Sequence, residues 1–67
     1  MMNSELLAKR VKESGARTEA IAATLEISVP TLYSKIKGES EFKLSEAVRM
    51  KHILSLTNDE FDEIFLQ

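Results

Sequence analysis

Apolar and polar positions divide the chain into five stretches of helical periodicity separated by short breaks. In the first, Leu7 and Val11 stand four residues apart with Leu6 beside them, while Lys9, Arg10, Lys12 and Glu13 fall outside. This predicts an amphipathic helix capped by Asn3 or Ser4 and closed before Gly15, whose basic residues read first as a solvated face and second as contacts to a phosphate backbone. In the second, Ile21, Ala22 and Leu25 share a face, and Thr18 is the expected N-cap. That helix cannot run on through Pro30, so the chain must stop and restart between Glu26 and Ser28. Ser28 caps the third helix, and Pro30 falls in its first turn, where a missing N–H costs least. Leu32 and Ile36 then face inward four residues apart, and Gly38 closes the helix in a left-handed conformation.

Glu39 to Leu44 is poor helix material and reads as an extended link in which Phe42 plugs the core. Ser45 is the expected N-cap of a fourth helix carrying Ala47, Met50, Ile53 and Leu54 at helical spacing, with His52 off that stripe. The fifth helix has the sharpest local signature. Thr57 and Glu60 form a capping box, and Leu56 before it and Phe61 within it form a hydrophobic staple. Phe61, Ile64 and Phe65 make its stripe, whose main reading is core. With Leu66 trailing it, dimerisation through this end is the lesser reading.

The helix, break and helix from Thr18 to Gly38 resemble the helix-turn-helix of the phage Cro and repressor family, the XRE-like bacterial regulators. Ala22, the apolar Ile21, Leu25, Ile27 and Leu32, and the restart at Ser28 carry the resemblance. The tail GESEFKLSEAVRMKHILSLTNDEFDEIF is similar too, so that the likeness runs from about Ser4 to Phe65. It implies an all-α, five-helix lambda-repressor-like domain over residues 1–67, with its motif at 18–38. Two positions depart from the family. Glu26 stands where a turn glycine is usual, which counts against a left-handed turn there. The apolar residue late in the second motif helix moves from Lys35 to Ile36, which implies a rotated or extended helix.

At 67 residues the chain forms one domain, which buries only about 60% of its unfolded surface. It has no cysteine, hence no disulfide framework or thiolate metal site. No apolar run approaches the roughly 20 residues of a membrane span. No secretory leader opens the chain, so the expected setting is the cytoplasm of a bacterium or a phage-infected host. The net charge of −2 runs against a nucleic-acid partner, but its distribution is uneven. All nine Lys and Arg precede Thr57, against seven acids there, which leaves that part at +2. The other four acids, Asp59, Glu60, Asp62 and Glu63, crowd the last helix. Such a split can still offer DNA a positive face.

In the family, the second motif helix lies in the major groove and the first crosses the backbone. Carried over residue by residue, the resemblance turns Ser28, Val29, Pro30, Thr31, Tyr33, Ser34 and Lys37 outward. Arg, Asn and Gln, the best readers of base edges, are missing from this helix. Val29, Pro30 and Thr31 can rest on thymine methyls. Ser28, Tyr33 and Ser34 can donate hydrogen bonds, and Lys37 can reach a phosphate or guanine. Arg17, Thr18, Lys35 and Lys43 are the expected phosphate contacts. For Tyr33 a half-exposed aromatic covering its neighbours, and for Lys35 and Lys43 simple solubility, are nearly equal readings.

The leading expectation is therefore a small transcriptional regulator that binds double-stranded operator DNA, as a homodimer, and occludes a promoter. The alternative is an antirepressor on the same scaffold that masks a partner repressor protein, favoured by the acidic balance and the apolar Val29, Pro30 and Tyr33. An enzyme is not expected, because the one His has no partner at catalytic spacing and the two glycines sit at helix ends. Nor is a cofactor or metal expected.

Overall fold

A computed structural model describes residues 2–66. The chain forms α1 (Ser4–Ser14), α2 (Thr18–Leu25), α3 (Val29–Lys37), α4 (Leu44–Ile53) and α5 (Asn58–Phe65), with no strand among the described residues. Each helix sends one large side chain to a common centre. Leu7, Ile21, Leu32, Met50 and Ile64 come from the five helices in order, and none is more than 1% exposed. None of these short helices is stable alone, so their stability comes from this shared burial. Ala22, also buried, lets α2 lie close against its neighbours.

Most helix ends follow local chemistry. Asn3 caps α1, its Oδ1 accepting from Leu6 N–H at 3.1 Å, and Gly15 closes that helix at φ 73°. The Thr57 and Glu60 box forms as expected, with Glu60 Oε1 accepting from Thr57 N–H at 2.8 Å and Thr57 Oγ1 from Glu60 N–H at 3.1 Å. Leu56 is buried and Phe61 half-buried, and His52 is exposed.

Two expected caps are displaced by one or two residues. Arg17, not Thr18, is the N-cap of α2, and its side chain makes no capping bond to that helix's first-turn N–H groups. Thr18 is instead the first helical residue, its hydroxyl facing Tyr33. Lys43, not Ser45, precedes α4, because the Glu46 carboxylate reaches back to accept from Lys43 N–H at 2.8 Å. The bond from the third helical position sets this start, and Ser45 stays exposed.

The turn between α2 and α3 corrects the expectation at Glu26, which does adopt the left-handed conformation, at φ 60° and ψ 39°. Its N–H donates to Ala23 O at 3.1 Å, and Ile27 N–H donates to Ala22 O at 3.0 Å. Support comes from α4, where Arg49 Nη1 donates to Thr24 O at 3.0 Å and lies 3.4 Å from Glu26 Oε2. Ser55 makes a second left-handed turn without glycine, at φ 53°.

One polar cluster lies inside the fold. Lys35 and Glu46 are 8% and 6% exposed, and Lys35 Nζ donates to Glu46 Oε1 at 2.8 Å and to Glu41 O at 2.9 Å. The ammonium also sits 5.9 Å from the centre of the Phe42 ring. Burial alone would push the Glu46 carboxyl up. The Lys35 hydrogen bond, the Lys43 N–H and the nearby positive charge together outweigh it and hold the group below the usual glutamate range.

The N-terminus is tied to α5 by Asn3 N–H donating to Ile64 O at 2.7 Å and by Arg10 at 3.1 Å from Glu60 Oε2. Phe42 in the link meets Phe65 edge to face with ring centres 5.6 Å apart, so it does pack inward. Among the described residues no helix is long and apolar enough to cross a membrane.

Two predictions follow from the turn and the buried pair. Glu26→Gly removes the left-handed strain at the α2–α3 turn and raises stability by about 1 kcal/mol, as read from urea unfolding. Lys35→Met leaves Glu46 buried without its ion-pair partner, and lowers stability by about 3 kcal/mol, whereas Lys35→Met with Glu46→Leu recovers most of that loss. Because the folded Glu46 value is depressed, its contribution is fully present above the unfolded glutamate value and is lost as pH falls through the folded one. The double variant therefore loses less stability than wild type on acidification below the ordinary glutamate range.

Candidate nucleic-acid interface

The turn after Leu25 sets α3 apart as a separate short helix, and its ends are firmly made. Ser28 Oγ accepts from Thr31 N–H at 3.2 Å and donates to Thr31 Oγ1 at 2.8 Å. Pro30 occupies the first turn. Gly38 closes the helix at φ 84°, where an L side chain would be strained.

This helix divides into two faces. Leu32, Lys35 and Ile36 point inward, while Pro30, Thr31, Tyr33 and Lys37 are exposed. Ser28 is exposed at the N-cap, and Ser34 is half-buried. Val29 is half-buried too and packs against the core cluster, so it is less outward than the resemblance implies. Lys35 is the clear correction: it is buried against Glu46 and cannot serve as a phosphate contact. Its methylene stem lies on the inward side, so α3 buries both Lys35 and Ile36.

Around the outer face of α3 the fold gathers residues from two other helices. Thr18, Tyr33 and Lys37 line a groove of about 290 Å³ together with Ala8, Val11 and Lys12. The Tyr33 hydroxyl lies 3.5 Å from Thr18 Oγ1, a long contact that leaves it open to another partner. Arg17 is exposed immediately before Thr18. The first-turn N–H groups of α2 have no side-chain cap, and the helix dipole adds positive potential there.

Lys12 reads from the sequence mainly as a solvated cation, with a phosphate contact as the second reading. Only the packing of α1 against α3 brings it beside Lys37. Lys43 lies elsewhere, in the link between Phe42 and Leu44, which border a second groove that Lys37 also lines. The outer face of α3 therefore collects Lys12, Arg17 and Lys37 around Thr18, Thr31 and Tyr33.

Several other cations are committed. Arg10 pairs with Glu13 and Glu60, Lys35 with Glu46, and Arg49 with Glu26. Lys51 bonds Asn58 Oδ1 and lies over the Phe61 ring. The arrangement offers hydroxyl donors, small apolar groups and three exposed cations, a set suited to holding a polyanion without covalent chemistry. Compared with protein-family models, characterised proteins and solved structures, the chain has no match.

Proposed function

We propose that this chain is a small DNA-binding regulator of the lambda-repressor-like, helix-turn-helix kind, with α2 and α3 as its motif. The single observation that supports the reading most is the exposed outer side of α3, flanked by Lys12, Arg17 and Lys37. In this reading α3 enters the major groove of an operator. Pro30 and Thr31 meet thymine methyls, and Tyr33 and Ser34 donate to base or phosphate acceptors. Arg17, Thr18 and the uncapped start of α2 hold one phosphate, and Lys12 and Lys37 hold others. Ser28 and Thr31 have already joined their hydroxyls to each other, so their role is steric before it is polar. Regulation is by occlusion of the promoter.

A second reading is favoured by the burial of Lys35, which leaves Lys37 as the exposed cation of α3. The same face, with Pro30 and Tyr33 at its middle, then docks on a partner repressor and masks it.

A mobility-shift titration with DNA flanking the chain's own gene separates the two. The regulator reading expects retardation whose affinity falls with salt, with a log–log slope of about −3 for one bound copy. Lys12→Ala, Arg17→Ala and Lys37→Ala each flatten that slope by about 1. No retardation at low salt, with co-purification of a repressor encoded next door, decides for the masking role.

A further inference from the structure

The side of α3 that faces outward is not the one its apolar residues favour. Val29, Leu32, Tyr33 and Ile36 stand at the i, i+3, i+4 and i+7 spacing of a single helical stripe. A helix seated on the middle of that stripe turns the Tyr33 ring inward and leaves Lys35, about 60° beyond the Leu32 edge, in solvent. The structure does the reverse: Lys35 is 8% exposed and Tyr33 45%. Leu32 and Ile36 fall on the buried side in either seat. What differs is a roll of α3 about its own axis, roughly 60° from the centre of the stripe to the centre of the side that is buried.

Apolar burial does not account for this roll. Bringing in a lysine and turning out a tyrosine both run against it. The ring also has somewhere to go, since Tyr33 borders a groove of about 290 Å³ walled by Ala8, Val11 and Ile36. Its hydroxyl is restrained only by the long 3.5 Å contact to Thr18. The caps at Ser28 and Gly38 bond within α3 and its flanks, and do not choose between the two seats. The Lys35 ammonium does choose. Nζ meets the Glu46 carboxylate of α4 at 2.8 Å and the Glu41 carbonyl of the link at 2.9 Å, two oxygens fixed outside the helix. With position 35 rolled outward both bonds are lost, and Glu46 keeps only the Lys43 N–H, a buried carboxylate without its counter-charge. That loss exceeds what a ring already half-covered gains by going in.

We propose that Lys35 is a positioning residue: its bonds to Glu46 and Glu41 set the roll of α3 and keep Tyr33 on the outer face, against an apolar pattern that favours the opposite seat. The outer face is the one the proposed regulator offers to DNA, but the roll is a property of the free chain and its test contains no nucleic acid. Failure to bind DNA and failure of this proposal are therefore separate results.

Tyr33 is the sole tyrosine of a chain without tryptophan, so intrinsic fluorescence reads this one ring. Acrylamide quenching of the full chain is the test, with far-ultraviolet circular dichroism recorded on the same samples. In wild type the ring quenches as an exposed tyrosine. Lys35→Ala with Glu46→Gln removes the ammonium but keeps an acceptor for the Lys43 N–H. This variant retains its helical signal, and its quenching constant falls by about half or more as the ring moves into the groove. Lys35→Met with Glu46→Leu keeps position 35 apolar and gives a smaller fall in the same direction. Glu46→Gln alone keeps an oxygen for Nζ and leaves the quenching at the wild-type level. A wild-type ring shielded like a buried one overturns the proposal. So does wild-type quenching in the first double variant or, should that one lose its helices, in the second. Loss of the helical signal in both overturns it as well, because the pair then holds the whole fold together instead of choosing the seat of one helix.

Discussion

The ammonium of Lys35, held 2.8 Å from Glu46 inside the fold, is the contact on which the placing of α3 depends. A lysine on the inward side of a helix is tolerated only when its charge finds a partner there. Here the partners come from two separate pieces of chain: Glu46 on α4, and the Glu41 carbonyl and Phe42 ring in the link. The same glutamate starts α4 by accepting from the Lys43 N–H. One buried pair therefore joins α3, the link and the next helix, and so orients the exposed side of α3. A well-packed apolar pair in its place would keep most of the stability. What the ionic pair adds is direction, since Nζ bonds both Glu46 Oε1 and the Glu41 carbonyl.

A second constraint acts at the other end of α3. The chain must reverse within three residues after Leu25, and the left-handed residue it needs is a glutamate. The backbone strain is about 1 kcal/mol, small enough for tertiary contacts to outweigh. Arg49 supplies them, donating to the Thr24 carbonyl near the end of α2 and approaching Glu26 itself. Both ends of α3 are thus held from α4, by Arg49 at the start and Glu46 at the end, although α4 takes no part in the outer face.

Much of the candidate surface was legible in the chain. Ser28, Pro30 and Gly38 mark the start and end of α3 by local rules that need no tertiary information, and Leu32 and Ile36 identify its inner side. The errors fell where a side chain's role depends on a residue distant in sequence. Lys35 reads as a surface cation until Glu46, eleven residues on, is placed against it. Lys12 reads as a solvated cation until α1 packs on α3. Thr18 and Ser45 look like better caps than Arg17 and Lys43, but a hydroxyl opposite Tyr33 and a carboxylate reaching back from Glu46 decide otherwise.

The amino-acid order by itself determined that there would be five helices, where most of them begin and end, and which residue of each would be driven inward. Those features follow from backbone hydrogen bonding and apolar periodicity, which act over four residues or fewer. The tertiary structure alone decided which cations remain free, that Glu26 could turn without glycine, and that Lys35 would face inward and Tyr33 outward. Each of these depends on electrostatic and packing contacts between helices, and such contacts have no signature at short sequence separation.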